Sequence, residues 1–231
     1  IFEDKPVWPP DIQLMAKDIF WFHAVIWPAM LIANKLELPG TIFAHGFFTI
    51  NGQKMSKSLG NVLEPNELAK KYGTDTLRYA LLREFPFGGD GDISEEKIAL
   101  RYRTDLANEL GNLLSRTLTM INKYQVKIND QPAEKIDSLV GEKIINFEFD
   151  LALKLIWQRL RKNNQLIETT KPWQLAKTDQ TELTKVIQSL YADLSQVATD
   201  LRPFMPETAA KIKQQLKEKN AQPLFPRLEE S

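Results

Sequence analysis

The sequence predicts an α/β segment followed by an all-α segment, mostly α overall, and three observations carry that prediction. A strand–helix–strand pattern with short connections fills the first fifty residues, as in a parallel βαβ unit. Turn-forming residues then crowd the stretch from Asn51 to about Asp92. From Ser94 onward, apolar residues recur at helical spacing, the pattern of amphipathic helices that pack as a bundle.

Taken in order, Pro6, Pro9 and Pro10 set a turn ahead of Ile12-Gln13-Leu14-Met15, an apolar run that reads as a strand. Asp18 to Lys35 reads as one helix, bulky and apolar on most sides. Pro39-Gly40 is a turn, and Thr41 to Ala44 is a buried strand with β-branched and aromatic bias. Two parallel strands need more sheet than this stretch supplies, so it reads as the end of a larger α/β domain. Gly52 and Gly60 bracket Gln-Lys-Met-Ser-Lys-Ser-Leu, and short helices are expected over Glu64–Tyr72 and Thr74–Leu82. Phe85-Pro-Phe-Gly-Gly89 is a rigid turn. Ser94 is a candidate helix N-cap, with Glu95 and Glu96 placed where the helix dipole favours acids. Helices are expected over about 94–124, 141–165 and 181–201, with a shorter one after Pro206. In the third, Leu183, Val186, Leu190, Leu194, Val197 and Leu201 form one stripe.

Composition excludes several chemistries. The chain has no cysteine, which removes disulfides, thiolate zinc sites and thiol catalysis. His23 and His45 are its only imidazoles, so neither a histidine metal site nor a hydrolase triad is expected. Thirty basic and thirty acidic residues cancel, so a polyanion would have to be met by a local patch. The longest apolar stretch, Ile19 to Ala33, is interrupted by His23 and Pro28. It falls short of the roughly 18–20 residues a membrane span requires, so no membrane contact is expected. No secretory signal pattern opens the sequence, and a cytoplasmic location is expected.

The sharpest local signal is Lys54-Met55-Ser56-Lys57-Ser58 between two glycines. Two ammonium groups on a loop can clamp a polyphosphate as charge develops on it, and Ser56 and Ser58 add hydroxyl donors. The string lacks the Gly-x4-Gly-Lys frame of a Walker loop. Read as a lysine pair alone, it is equally a solvated surface loop. The long helix offers a second signal. At about 100° per residue, Leu106, Leu110, Leu113, Leu114 and Ile121 share one face. Asn108, Asn112 and Arg116 fall together on the opposite face, where two amides and a guanidinium can read base edges or hold a phosphate. The same spacing also describes a plain solvated face.

The full string Lys-Met-Ser-Lys-Ser resembles the signature loop of class I aminoacyl-tRNA synthetases, and its surroundings resemble the methionyl-tRNA synthetase family along the whole chain. The runs that carry the resemblance are Lys17-Asp-Ile-Phe-Trp-Phe-His-Ala-Val-Ile-Trp-Pro-Ala-Met-Leu31, His45-Gly-Phe-Phe-Thr-Ile-Asn-Gly-Gln-Lys-Met-Ser-Lys-Ser-Leu-Gly-Asn61, Phe85-Pro-Phe-Gly-Gly-Asp-Gly-Asp-Ile-Ser-Glu-Glu96 and Asn108-Glu-Leu-Gly-Asn-Leu-Leu-Ser-Arg116. It implies that residues 1–50 are the C-terminal part of a Rossmann-type catalytic domain. Residues 51–93 would hold the lysine loop and a connecting, stem-contact region, and 94–231 a helical anticodon-binding domain.

Residue by residue, the resemblance implies that Lys57 binds the ATP phosphates and the adenylation transition state, with Lys54 assisting. Asp18 would lie near the ATP ribose and Gly46 near adenine, although Gly46 reads equally well as a tight strand end. His23 and Trp27 would line the methionine pocket, and their spacing of four puts both on one helix face. Asn108, Asn112 and Arg116 would read the anticodon, and one of its bases would stack on Trp173. The implied partners are tRNA(Met), methionine and ATP, with Mg2+ as the ion of the full enzyme. The His-Ile-Gly-His-type motif, the first half of the nucleotide-binding fold and the zinc-bearing insertion are absent from these residues. The chain alone is therefore expected not to activate methionine. Another class I synthetase, a non-catalytic tRNA-binding or scaffold module, and a helical interaction domain are the rival readings.

Overall fold

The computed structural model describes residues 8–56, 60, 62–128 and 132–226. They form two compact units, Ile1–Val62 with Phe85–Ile93, and Leu63–Glu84 with Ser94–Ser231. The segment 51–93 is divided between them, its two helices belonging to the second unit.

In the first unit, β1 (Ile12–Ala16) pairs in parallel with β2 (Thr41–His45), in a register that sets Ile12 opposite Thr41 and Ala16 opposite His45. The connection between them is less regular than one helix. A 3-10 turn over Lys17–Ile19 leads to a π-helical turn over Phe22–Ile26, and only Trp27–Ala33 is α-helical (α1). Pro28 accounts for the wide turn. It has no N–H to give and its ring crowds the carbonyl one turn back, so the chain opens to the looser π bonding, with the Trp27 N–H donating to Phe22. Three short strands were not expected from the sequence: β3 (Phe48–Ile50), β4 (Gln53–Lys54) and β5 (Gly91–Asp92), in the order β4-β3-β5. β3 and β4 form a hairpin whose turn residues, Asn51 and Gly52, both have positive φ (52° and 76°). Asn-Gly is the pair that favours such a two-residue turn, because both of its residues tolerate left-handed backbone.

The second unit is helical. α2 (Pro65–Tyr72) and α3 (Thr74–Arg83) precede a long helix that is α-helical over Glu95–Arg101 (α4), π-helical over Tyr102–Gly111 and α-helical again over Asn112–Tyr124 (α5). Ser94 caps it as expected, its hydroxyl accepting from the Lys97 N–H at 3.3 Å. The single helix expected over 141–165 is two, α6 (Ser138–Ile145) and α7 (Phe149–Thr170). α6 stops where Phe147 turns left-handed (φ 59°) and the Glu148 N–H reaches back to Lys143 at 2.8 Å. Glycine usually marks such a stop, so the sequence carried no visible break here. α8 (Pro172–Thr178), α9 (Gln180–Asp200) and α10 (Pro206–Glu218) complete the unit.

The leucine stripe of the long helix is buried as expected: Leu106, Leu110, Leu113, Leu114 and Ile121 meet Leu153, Ile156, Trp157 and Leu160 of α7 and the α9 stripe in one core. Several polar groups inside it are tied together. The Tyr79 hydroxyl donates to Asp105 at 2.6 Å, and Arg101 bridges Asp105 and Glu84. Arg159 joins Asp137, the N-cap of α6, to the fully buried Asp200. Asp75 in the first turn of α3 accepts the Thr208 N–H at 2.7 Å, capping α10 from a distant part of the chain. This long-range cap ties α3 to α10.

Candidate substrate and nucleic-acid sites

β1 and β2 run in parallel and end together at Ala16 and His45, so whatever follows them lies at the carboxyl edge of the pair. In open α/β sheets that edge is where ligands bind. Asp18 follows β1, exposed in the 3-10 turn, and Gly46 follows β2. Gly46 also has a packing reason to be glycine. A methyl group built there would overlap the Gly89 carbonyl, so a side chain would force the two backbones apart.

His23 and Trp27 are brought together, their rings edge-to-face at 6.0 Å, and both line a pocket of about 320 Å3. Gln13, Phe22, Ile26 and Met30 complete its wall. These four were not singled out from the sequence. Gln13 was hidden in a strand, and the others read as ordinary helix packing. The His23 Nδ1 lies 3.1 Å from the Ile19 carbonyl, which fits Nδ1–H donating and Nε2 left as an acceptor. An apolar pocket with one imidazole suits a thioether side chain, whose sulfur packs on aromatics and offers only a weak acceptor.

Lys54 closes β4, and its ammonium sits 4.1 Å from the centroid of the Phe47 ring. Lys57 and Ser58, the second half of the lysine motif, lie outside the described residues. The hairpin that delivers Lys54 is pinned at its turn, where Asp92 accepts from the Gly52 N–H at 2.9 Å and from the Thr49 hydroxyl at 3.1 Å. The Asn51-Gly52 pair was the signal that could have located this hairpin in advance.

In the second unit, Asn108 and Asn112 are exposed and Arg116 is half-buried, on the face of the long helix away from its leucines. Asn108 sits in the π segment and Asn112 opens α5. Arg116 donates to Glu168 of α7 at 2.9 Å. Glu168 lies in the last turn of α7, just ahead of α8, whose second residue is Trp173. The pair therefore sets Arg116 beside the last turn of α7, which Trp173 follows in sequence. Trp173 is 44% exposed, a large flat ring left facing water. Among the described residues, no group of three or more His, Cys, Asp or Glu side chains is arranged to hold a metal. No described helix is long and apolar enough to cross a membrane.

Residues 7–118 match a family model described as tRNA synthetases class I (M). The methionine–tRNA ligase of Caldanaerobacter subterraneus subsp. tengcongensis is 43% identical over 227 residues, covering 92% of this chain and 36% of that enzyme. The methionine–tRNA ligase of Bacillus subtilis is 40% identical over 260 aligned residues, covering 96% of this chain and 39% of that enzyme. Among solved structures, Mycobacterium tuberculosis methionyl-tRNA synthetase in complex with methionyl-adenylate superimposes with a TM-score of 0.79 at 37% identity. That match covers 95% of this chain and 50% of that one. The chain spans little more than a third of the length of the curated relatives it matches. Along most of its own length, the chain is thus similar to a portion of the methionine–tRNA ligases.

Proposed function

We propose that this chain is a portion of a methionine–tRNA ligase that supplies the lysine loop for methionine activation and reads the anticodon of tRNA(Met). The full enzyme would join methionine to AMP using ATP, then pass the methionyl group to tRNA in the cytoplasm. In this reading His23 and Trp27 receive the methionine side chain, and Asp18 and Gly46 border the ATP. Lys54 and Lys57 neutralise phosphate charge as pyrophosphate departs. Mg2+ would enter on the ATP phosphates. The Rossmann-type and anticodon-binding assignments of residues 1–50 and 94–231, with 51–93 connecting them, belong to the same proposal.

The observation that carries the anticodon half is the row of exposed Asn108 and Asn112 and half-buried Arg116, the last held by Glu168, five residues ahead of the exposed Trp173. Single-stranded bases are read by such a combination, a ring to stack on beside amides that meet base edges. Binding of tRNA(Met) by the chain at fixed salt tests it, because phosphate contacts make affinity strongly salt-dependent. Trp173→Ala should weaken binding by about 1–3 kcal/mol, the usual worth of one stacked base. Unchanged binding would remove Trp173 from the interface.

A further inference from the structure

One carboxylate ties together the segments that follow the two parallel strands. Asp90, immediately ahead of β5, takes the Lys17 ammonium on both of its oxygens, at 2.6 and 2.7 Å. Its Oδ1 also accepts the Phe47 N–H at 2.8 Å. Lys17 opens the 3-10 turn after β1 and directly precedes Asp18, while Phe47 directly follows Gly46 beyond the end of β2. The Lys17 ammonium lies 5.0 Å from the centroid of the Phe47 ring, so the two segments also meet through their own side chains. The backbone on either side of Asp90 completes the brace. The Gly91 N–H donates to the Phe47 carbonyl at 2.9 Å, and the Gly89 carbonyl packs so closely on Gly46 that no side chain fits there. The Lys17 and Asp90 side chains are 48% and 49% exposed, so their ion pair adds little to stability. Its consequence is geometric.

We propose that Asp90 is a positioning residue for the nucleotide: by bridging Lys17 and Phe47 it fixes the spacing between Asp18 and Gly46. The role in nucleotide binding rests on the reading above that Asp18 and Gly46 border ATP; the bridge itself does not. The pairing also settles the local charge. A lone carboxylate at the edge that receives a triphosphate would repel it, and the Lys17 ammonium held against Asp90 offsets that charge. Asp90, Lys17 and Phe47 are not among the residues lining the His23–Trp27 pocket, so the brace bears on ATP and not on methionine.

Hydrogen exchange at the Phe47 amide reads the bridge directly on this chain. Exchange should be slow, and Asp90→Ala should release it. A Phe47 amide that exchanges like an unbonded one in the unaltered chain would overturn the proposal whether or not any variant folds. The role is read from ATP–pyrophosphate exchange by the full ligase that contains these residues. Asp90→Ala should raise the KM for ATP about tenfold, a part of the roughly hundredfold that a misplacement of about 1 Å can cost, and leave the KM for methionine unchanged. A variant that merely unfolded part of the enzyme would lower kcat and leave both KM values alone, and that result would overturn the proposal. Lys17→Met should also raise the KM for ATP, and the double variant should fall short of the product of the two single effects, because both act through one bridge. Effects that multiply would contradict the bridge. Asp18→Ala separates the proposal from the reading beneath it. An unchanged KM for ATP in Asp18→Ala overturns the ATP-bordering reading and the nucleotide role with it. A raised KM in Asp18→Ala with an unchanged one in Asp90→Ala overturns the positioning role alone.

Discussion

The two units of this chain solve the burial problem differently. In the helical unit Trp157, Leu160, Leu190 and Leu194 are fully buried, and the buried Asp105 and Asp200 are each bridged by an arginine. In the strand-bearing unit Leu14, Trp21, Phe22, Met30 and Ile32 are each more than half exposed. Patches of that kind mark surfaces meant to be covered, and parallel strands are normally buried on both faces. The contrast teaches where stability resides. The helical unit carries its own core and leaves a polar face with one exposed indole. The strand-bearing unit holds its candidate ligand residues on a two-stranded and a three-stranded sheet.

The sharpest way to break this comparison is to truncate one tryptophan in each unit. Trp157→Ala should cost about 3–5 kcal/mol in denaturant unfolding, as for other buried aromatics. Trp21→Ala, at 64% exposure, should stay within about 0.5 kcal/mol. Equal effects would erase the distinction. A smaller loss is expected for Asp75→Ala, which removes the cap of α10. It should cost about 1–2 kcal/mol, read as a lowered urea midpoint. If the midpoint does not move, the cap is not what ties α3 to α10.

Acid provides a subtler test of the helical unit. Burial works against the charged form of Asp137, but the Arg159 hydrogen bond and the Leu139 and Val140 amides outweigh it and hold its pKa below the ordinary carboxylate value. A carboxylate with a lowered pKa gives stability that is present above its unfolded value and lost as pH falls through the folded one. Asp200 runs the other way, because burial raises its pKa. Asp137→Asn should therefore shrink the fall in melting temperature between neutral and acid solution. A fall as steep as in the unaltered chain would remove Asp137 from the acid response.

Much of the helical unit was legible in the sequence, because a stripe such as Leu106, Leu110, Leu113 and Leu114 has one physical explanation, a buried face. The break between α6 and α7 was not, since Phe147 takes the left-handed position that glycine usually marks. The strand-bearing unit was harder. The π turn ahead of Pro28 breaks helical spacing, and strands of two or three residues such as β4 and β5 are too short for alternation to show. Of the candidate site, the pairing of His23 with Trp27 followed from their spacing. The Gln13 wall of their pocket depended on strand register, and the Lys17–Asp90–Phe47–Lys54 cluster joins residues up to 73 positions apart. Contacts of that range leave no local pattern to read.

The most direct test of the central claim is the affinity of this chain for a tRNA carrying the CAU anticodon, set against the same tRNA with one anticodon base changed, at one salt concentration. The account predicts a preference for CAU of about tenfold or more, equivalent to about 1.4 kcal/mol, that Trp173→Ala diminishes. Equal binding of the two tRNAs would contradict it and leave the helical unit a scaffold without a reading function.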